Sequence, residues 1–300
     1  MEEPRRHDFR SMGTFVTLIA DRGSDPRAFE RAARAVERAF AEEDLRFSRF
    51  RGDSELTSVN SRAGRWTRVS PGFAALLAYA LEAAARSDGM FDPAVLPSLI
   101  AAGYDRDFDE LIAGARDALH PSEPCGRWPE IELDGDLVLL PPGVGLDFGG
   151  IAKGWAVDLA AHAAVGRGLR WVIVNAGGDL RIAGSPPAAG FEIAIDDPEI
   201  PGDELTRVRV QHGALATSSV TARAWGPGLH HLIDPRTGKP ADTGVLQATV
   251  WAETCTEAEI HSKRALLTGT SILDRTAGVL VTSDGRIVMN LETDEARVPA

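Results

Sequence analysis

The sequence predicts an α+β protein, organised as a single compact domain of two interlocked lobes over residues 1–300. Three observations support this prediction. Segments with apolar residues at helical spacing are interspersed with short strand-like segments, glycine turns separate them, and 300 residues are enough to bury a large core. The hydrophobic fraction of 44% and the charged fraction of 25% are typical of a globular protein.

The first half of the chain supplies a strand and two clear helices. Residues 13–20, GTFVTLIA, have strand character, and the segment PRAFERAARAVERAFAEEDLRF carries apolar residues at helical spacing. A second helix is predicted over 71–86, because Ser70 and Pro71 form a favourable start and a glycine follows its end. Residues 107–145 contain two short strand candidates with a turn between them, which predicts a small hairpin.

The second half is richer in strands. In 147–184 a glycine turn, a helix, a buried apolar strand and a second glycine turn follow one another. From 191 onward, FEIAIDD, RVRVQHGALATSS, HHLIDPRTG and LQATVWA alternate like sheet strands. A helix over 256–268 precedes a final hairpin over 278–290.

Charge and hydropathy exclude several classes of function. A formal net charge of −12 without basic clusters argues against a general nucleic-acid binder. No segment is long and apolar enough for a membrane span, and the first residues lack the apolar region of a secretory signal, so we expect a cytoplasmic protein. The only cysteines, Cys125 and Cys255, lack metal-ligand spacing and are expected to be bystander thiols.

Three segments are candidates for chemistry on their residues alone. DFGGIAKGWAVD places Lys153 at the start of a helix, where free N–H groups favour a phosphate, although a structural turn with a solvated lysine explains it too. VNAGGDLRIAG ends a strand with residues that tolerate positive φ, as a ligand loop or a plain turn does. In HHLIDPRTGKP, His231 is either an acid or base or a structural hydrogen bonder.

Two further segments are candidates for ligand contacts, one through an aromatic ring and one through a turn. Phe50 lies beside arginines in FSRFRGDSELTSVN and would stack on a planar ring, and Asp92 lies in a turn in GMFDPAV. Core packing and ordinary capping explain both equally well. The sequence contains no nucleophile elbow, kinase motif set, P-loop or zincin motif, which leaves phosphate chemistry or phosphate binding as candidates.

Taken in order, eight segments resemble the ApbE-like family of FAD:protein FMN transferases. They are SMGTFVTL, FSRFRGDSELTSVN, GMFDPAV, LDFGGIAKGWAVD, VNAGGDLRIAG, ATSS, HHLIDPRTGKP and TCTEAEIHSKRALLTG. The resemblance covers nearly the whole chain and implies the ApbE-like fold. It also implies a reaction in which FAD is split, FMN is joined to a threonine or serine hydroxyl of a target protein, and AMP leaves, with Mg²⁺ assisting by neutralising phosphate charge.

The resemblance also implies site residues. The positions at which family members contact FAD are Met12, Phe50, Met90, Phe91, Asp92, Lys153, Leu159 and Leu232. Ala156 matches a residue whose carbonyl binds the metal. His231 matches the family histidine, with a role as base or in orienting the substrate.

The sequence departs from the family at the metal site. Relatives carry an Asp-Ala-x-x-Thr pattern whose aspartate and threonine bind the cation, and this chain has Glu259 and Lys263 there. Glutamate can ligate magnesium, but an ammonium group has no lone pair and cannot. Three alternatives follow: Lys263 acts as the cation in a metal-independent or altered transferase, the chain binds or hydrolyses FAD without transfer, or the two residues form a surface ion pair with metal bound otherwise or with a shifted register.

Overall fold

The computed structural model describes residues 4–112, 125–290 and 296–297 and has the predicted α+β composition. The helices are α1 Pro26–Phe47, α2 Glu55–Asn60, α3 Pro71–Arg86, α4 Leu96–Ala101, α5 Phe108–Ile112, α6 Ala152–Val165 and α7 Cys255–Thr268. The strands are β1 Arg5–Ser11, β2 Thr14–Ala20, β3 Thr67–Arg68, β4 Glu132–Asp134, β5 Leu137–Leu139, β6 Trp171–Ala176, β7 Asp179–Gly184, β8 Phe191–Asp196, β9 Glu204–Val210, β10 Gly213–Ser219, β11 Ala224–Gly226, β12 Leu229–His230, β13 Ile233–Asp234, β14 Lys239–Pro240, β15 Val245–Ala252, β16 Gly278–Thr282, β17 Ile287–Asn290 and β18 Ala296–Arg297. The predicted helices and strands are confirmed, apart from the part of the 107–145 prediction that falls on 113–124, outside the described residues.

The chain forms two compact units, and neither is a continuous stretch of sequence. Unit 1 consists of Met1–Asp44, Ile151–Ser218 and Gly244–Ala300, and unit 2 consists of Leu45–Gly150 and Ser219–Thr243. The extent of the domain over residues 1–300 stays a prediction.

Unit 1 is built on an eight-stranded sheet with the order β1-β2-β6-β7-β10-β15-β16-β17. The alternation of side chains along β6 shows why this sequence forms a central strand. Val172 and Val174 belong to the core on one face of the sheet, and Trp171 and Ile173 belong to the core on the other. A strand that is buried on both sides needs apolar residues at every position, as WVIV provides.

Helices α1, α6 and α7 contribute to the first of these cores, and β8 and β9 contribute to the second. Alanine is abundant on α6, where Ala156, Ala160 and Ala164 are fully buried. Gly154 is smaller still, because a Cβ there would lie 2.5 Å from the carbonyl oxygen of Cys255. The small residues of α6 therefore allow it to pack closely against the start of α7.

Unit 2 contains α2 to α5, two short hairpins and a three-stranded sheet formed by β3, β5 and β4. Helix α3 begins as its sequence predicts, since the Ser70 hydroxyl accepts a hydrogen bond from Phe73 N and Pro71 occupies the first turn. The Glu55 carboxylate accepts a 2.7 Å hydrogen bond from the same Ser70 hydroxyl. This contact fixes the start of α3 against α2.

The helices of the described ranges are all too short or too polar to span a lipid bilayer.

Candidate active site

Unit 1 contains a group of four charged side chains, Lys153, Asp179, Glu259 and Lys263, which we term the lysine–carboxylate cluster. Lys153 is the second residue of α6, and its Nζ donates to Oε1 of Glu259 at 3.1 Å and to Asp179. The Lys153 side chain is only 20% exposed. The alternative of a solvated lysine at a plain structural turn is therefore wrong.

Glu259, on α7, lies at the centre of the cluster and is fully buried. Its Oε1 accepts hydrogen bonds from Lys153 and, at 3.0 Å, from Lys263 Nζ, while its Oε2 accepts one from Gly154 N at 2.8 Å. Burial disfavours the charged carboxylate, but the two ammonium groups and the amide outweigh burial and lower the pKa of Glu259 to about 2. The alternative of a surface ion pair is thus excluded.

Asp179 completes the cluster, and the sequence indicated it only as part of the turn in VNAGGDLRIAG, without a role for its carboxylate. It follows a two-residue turn at Gly177 and Gly178, both with positive φ, and Gly178 N donates to the Asn175 side chain at 3.1 Å. Burial, reinforced by the negative charge of Glu259, raises the pKa of Asp179 above its usual value, against the opposing effect of Lys153. The turn was predicted, but only the fold shows that it delivers a carboxylate to Lys153.

Asp179 also has an oxygen without a hydrogen bond. Its Oδ1 is buried and has no donor among the residues that the structure describes, although the other oxygen is paired with Lys153. Nearby on α7, the Ser262 hydroxyl is 2.7 Å from the hydroxyl of Ser218. The same Ser262 hydroxyl donates to the carbonyl oxygen of Glu259 at 3.0 Å, so a fixed pair of hydroxyls adjoins the cluster.

The residues of the cluster do not fit a magnesium ion. Oε1 of Glu259 already accepts two hydrogen bonds, Oε2 accepts one, and Lys263 offers no lone pair. Magnesium requires a near-octahedral set of oxygen ligands, and Asp179 Oδ1 is a single free oxygen. Across the described ranges there is no group of three or more His, Cys, Asp or Glu side chains that would hold a metal.

Electrostatic repulsion strengthens this conclusion. Two unit charges about 4 Å apart interact by about 4 kcal/mol at an effective dielectric constant of about 20, and a divalent ion doubles that value. The two ammonium groups would therefore offset the attraction that Glu259 and Asp179 exert on a metal ion placed beside them.

The family resemblance implies three further site residues in unit 1, and these have separate environments: Ala156, Leu159 and Met12. Ala156 is fully buried on α6, two residues after Gly154, and Leu159 on the same helix is 40% exposed. Met12 lies in the turn between β1 and β2 with a φ of 49°, which is uncommon for a residue other than glycine. Only Lys153, Glu259 and Lys263 among the expected residues of this unit are joined by hydrogen bonds in the structure.

In unit 2, Phe50 belongs to an aromatic group that the sequence did not reveal. Its ring centroid lies 5.5 Å from that of Tyr104, which lies 5.4 Å from that of Trp225. The Arg49 guanidinium covers the rings of Phe50 and Tyr104, at 4.1 and 4.4 Å, and is held by Asp147 at 2.8 Å. Phe50 is 38% exposed, so part of its ring is available for stacking.

Met90, Phe91 and Asp92 follow α3 in the same unit. Phe91 and Asp92 are buried, and Met90 is half-buried. The Asp92 carboxylate accepts hydrogen bonds from Ala94 N and Gly126 N, both at 2.7 Å, and burial raises its pKa. Asp92 therefore ties two loops together, as the capping alternative predicts.

The two adjacent histidines differ in their environments. His230 is buried, Leu232 N donates to its Nδ1 at 3.3 Å, and its Nε2 is 3.0 Å from the carbonyl oxygen of Ala241. This pairing places the hydrogen on Nε2, and burial lowers the pKa of His230, so the ring is neutral. His231 is half-buried at the next position, and Leu232 is buried.

The sequence of the chain matches a family of known proteins. The model of the ApbE family matches residues 12–278. An FAD:protein FMN transferase of Rhodobacter capsulatus is 33% identical over 217 residues, which are 66% of this chain and 39% of the relative. An FAD:protein FMN transferase of Vibrio cholerae is 24% identical over 270 residues, which are 87% of this chain and 79% of the relative.

Solved structures share the fold. The crystal structure of the ApbE protein of Thermotoga maritima has a TM-score of 0.81 and 25% sequence identity, and the similarity covers 96% of this chain and 97% of that one. The flavin transferase ApbE of Vibrio cholerae has a TM-score of 0.79 and 22% identity, with 96% and 97% coverage.

Proposed function

The chain belongs to the ApbE family, and on that premise we propose that it is an FAD:protein FMN transferase, which moves FMN from FAD to a threonine or serine hydroxyl of a target protein and releases AMP. One observation carries the proposal beyond family membership. Two ammonium groups, those of Lys153 and Lys263, are held in place by the buried carboxylate of Glu259. Fixed cations of this kind are what the transfer of a phosphoryl group requires, because charge develops on the phosphate oxygens as the leaving group departs.

The reaction exchanges one phosphorus–oxygen bond for another. The acceptor hydroxyl oxygen attacks the phosphorus of the FMN half, the bond from that phosphorus to the bridging oxygen breaks, and AMP leaves with the bridging oxygen. The hydroxyl proton must be removed during this step. We assign His231 as the base that accepts this proton. Its neighbour His230 already forms hydrogen bonds with the backbone at both ring nitrogens.

The residues expected to contact FAD remain proposals. In unit 1 these are Met12, Lys153 and Leu159, and the partial exposure of Leu159 suits a ligand contact. In unit 2 they are Phe50, Met90, Phe91, Asp92 and Leu232. Phe50 is supported by its partly exposed ring, whereas the Asp92 carboxylate is engaged by two backbone amides and would reach FAD only through its remaining lone pairs.

The test uses purified protein, FAD and an acceptor domain known to carry phosphoester-linked FMN, with its target threonine intact or replaced by alanine. We expect AMP release and covalent flavin fluorescence on the intact acceptor after denaturation, and neither signal with the alanine acceptor. AMP release that is equal with and without the acceptor would instead identify an FAD hydrolase. Bound FAD without AMP release would identify a flavin-binding protein.

A further inference from the structure

We infer that the ammonium groups of Lys153 and Lys263, both held by Glu259, neutralise the diphosphate of FAD in place of a divalent cation, so that this chain binds and splits FAD without a metal. The inference rests on the proposed function, and it deepens that proposal by naming the group that carries positive charge to the substrate. It also explains why the residues of the lysine–carboxylate cluster do not fit magnesium.

Lys263 has the donors that this role needs. Glu259 is its one hydrogen-bond partner in the part of the chain that the structure describes, at 3.0 Å. An ammonium group has three N–H donors, so two are left for phosphate oxygens. The Lys263 side chain is 13% exposed, which removes most of the competing water and strengthens a charge-assisted hydrogen bond to an anion.

The position of the two ammonium groups is fixed by the buried carboxylate. Both lie about 3 Å from the same oxygen atom of Glu259, at 3.1 Å for Lys153 and 3.0 Å for Lys263. Gly154 N holds the other oxygen at 2.8 Å, so the carboxylate is restrained from both sides. Glu259 thereby acts as a positioning residue, because it places two cations and has little capacity left to bind a third.

Lysine usage in the chain points the same way. The sequence contains three lysines, Lys153, Lys239 and Lys263, and all its other cationic residues apart from histidine are arginines. Two of the three lysines meet at one carboxylate oxygen, where a compact ammonium fits and a planar guanidinium fork has a different geometry. Lys239 is exposed and serves as a natural control.

In the reaction, the lysines contribute charge and keep their protons. As the bond between the FMN phosphorus and the bridging oxygen breaks, the electron pair stays on the oxygen that leaves with AMP. Ammonium N–H groups stabilise the negative charge on the phosphate oxygens during this step. The proton of the acceptor hydroxyl goes to the separate base assigned above, so no proton passes through the cluster.

The first experiment measures binding without catalysis. The purified protein is stripped with EDTA, and FAD binding is titrated by calorimetry in EDTA and in Mg²⁺, while binding of Mn²⁺ alone is followed by electron paramagnetic resonance. We expect the FAD dissociation constant to agree within twofold in the two buffers, and no stoichiometric Mn²⁺ site. A bound Mn²⁺ ion per chain, or FAD binding that disappears in EDTA, would overturn the inference.

The second experiment removes the charge. Lys263→Met keeps an unbranched side chain that is one atom shorter and uncharged, and Lys239→Met is the matched control on an exposed residue. We expect the FAD dissociation constant to rise roughly 10- to 100-fold for Lys263→Met, the effect of losing a hydrogen bond to a charged group, and to stay unchanged for Lys239→Met. Circular dichroism and thermal unfolding verify that both variants fold, and an unchanged affinity in folded Lys263→Met contradicts the inference.

The third experiment attempts to restore a metal requirement. The double variant Glu259→Asp with Lys263→Thr places a carboxylate and a hydroxyl at the positions where relatives carry their metal ligands. We expect this variant to bind FAD more weakly than the wild type in EDTA and to recover affinity in Mg²⁺. If the folded double variant does not regain FAD affinity in Mg²⁺, the result contradicts the idea that Lys263 replaces a metal ion.

The results separate this inference from the proposed function. Transfer of FMN to the acceptor in Mg²⁺ but not in EDTA would support the transferase assignment and contradict the metal-free mechanism. Tight, lysine-dependent FAD binding and AMP release in EDTA, without transfer to the acceptor in either buffer, would do the reverse. Failure to bind FAD under any condition would overturn both.

Discussion

The carboxylate of Asp158 on α6 accepts hydrogen bonds from the backbone N–H of Thr256, at 2.9 Å, and from its hydroxyl, at 2.7 Å. The other carboxylate oxygen accepts a 2.9 Å hydrogen bond from Cys255 N. These are the first amides of α7, which have no partner within the helix and lie at its positive end. A residue from one helix therefore caps the helix that carries Glu259.

Asp158→Ala is expected to lower the free energy of unfolding by about 2–3 kcal/mol, because a cap and charge-assisted hydrogen bonds are lost together. Asp158→Asn keeps one accepting oxygen and should fall between the alanine variant and the wild type. Urea unfolding followed by circular dichroism measures both. Equal stability of the three proteins would mean that the cap contributes nothing.

Gly154→Ala should destabilise the protein although alanine favours helices. The added Cβ would lie 2.5 Å from the carbonyl oxygen of Cys255, so α6 and α7 must separate, at a cost of about 1–3 kcal/mol. Gly166→Ala is the matched control at the C-cap of the same helix, since φ there is −62° and the nearest atom would be 3.4 Å away. We expect the control to unfold no earlier than the wild type in a thermal scan.

The same Gly154 substitution should also weaken FAD binding, since it displaces the amide that holds Glu259. Gly166→Ala is expected to leave that affinity unchanged. A Gly154→Ala protein with wild-type stability would show that the close helix contact is not present in solution.

Glu259 gives a pH dependence of stability with a definite sign. Its pKa is lowered from 4.5 to about 2 in the folded protein, so its contribution is complete above pH 4.5 and is lost as the pH falls toward 2. At pH 7, Glu259→Gln should cost about 3–5 kcal/mol, because the largely buried ammonium group of Lys263 loses its counter-charge and that of Lys153 keeps only Asp179. The stability difference between the two proteins should shrink as the pH falls from 4.5 toward 2, as checked by urea unfolding at each pH.

Asp179 provides the contrasting case. Because its pKa is raised on folding, the folded state favours the protonated form, and Asp179 contributes less stability at neutral than at acidic pH. The stability difference between wild type and Asp179→Asn should therefore move in the opposite direction on acidification. Identical pH profiles for both variants would contradict the assigned pKa shifts.

Replacing each of the two adjacent histidines should affect a different property of the protein, its stability for one and its activity for the other. His230→Ala removes a hydrogen bond to Ala241 and should cost about 1–2 kcal/mol of stability. His231→Ala should remain folded but lose about 100-fold or more in the rate of AMP release, as expected for a general base. If His231→Ala retains the wild-type rate, the base must be another residue.

Local patterns in the sequence were sufficient for the elements that have a strong period or a clear start. Helix α3 follows from Ser70, Pro71 and its apolar spacing, and the turn between β6 and β7 follows from its two glycines. Strand β1 was missed because RRHDFRS is charged and its residues are at most half-buried, as befits the edge of a sheet. Such a strand has no apolar face to reveal it.

Contacts between distant residues account for what sequence patterns missed at the site. The spacing of Glu259 and Lys263 was visible as an i, i+4 pair, but an isolated pair of this kind gives no sign of burial. The burial arises from Lys153 and Gly154, which are more than 100 positions away, and from Asp179 after its turn. These partners meet only through the packing of α6, α7 and β7.

Unit 1 is made of three segments that are separated in the chain by segments of unit 2. This order determines when the lysine–carboxylate cluster can form during synthesis. Lys153 leaves the ribosome 106 residues before Glu259, and the whole of 219–243, which belongs to unit 2, is made in between. Until the last segment emerges, the sheet lacks β15 to β17 and the ammonium group of Lys153 has no Glu259 to hold it. The nascent protein therefore cannot complete the lysine–carboxylate cluster until α7 is made, and a truncation before α7 removes both Glu259 and Lys263 from it.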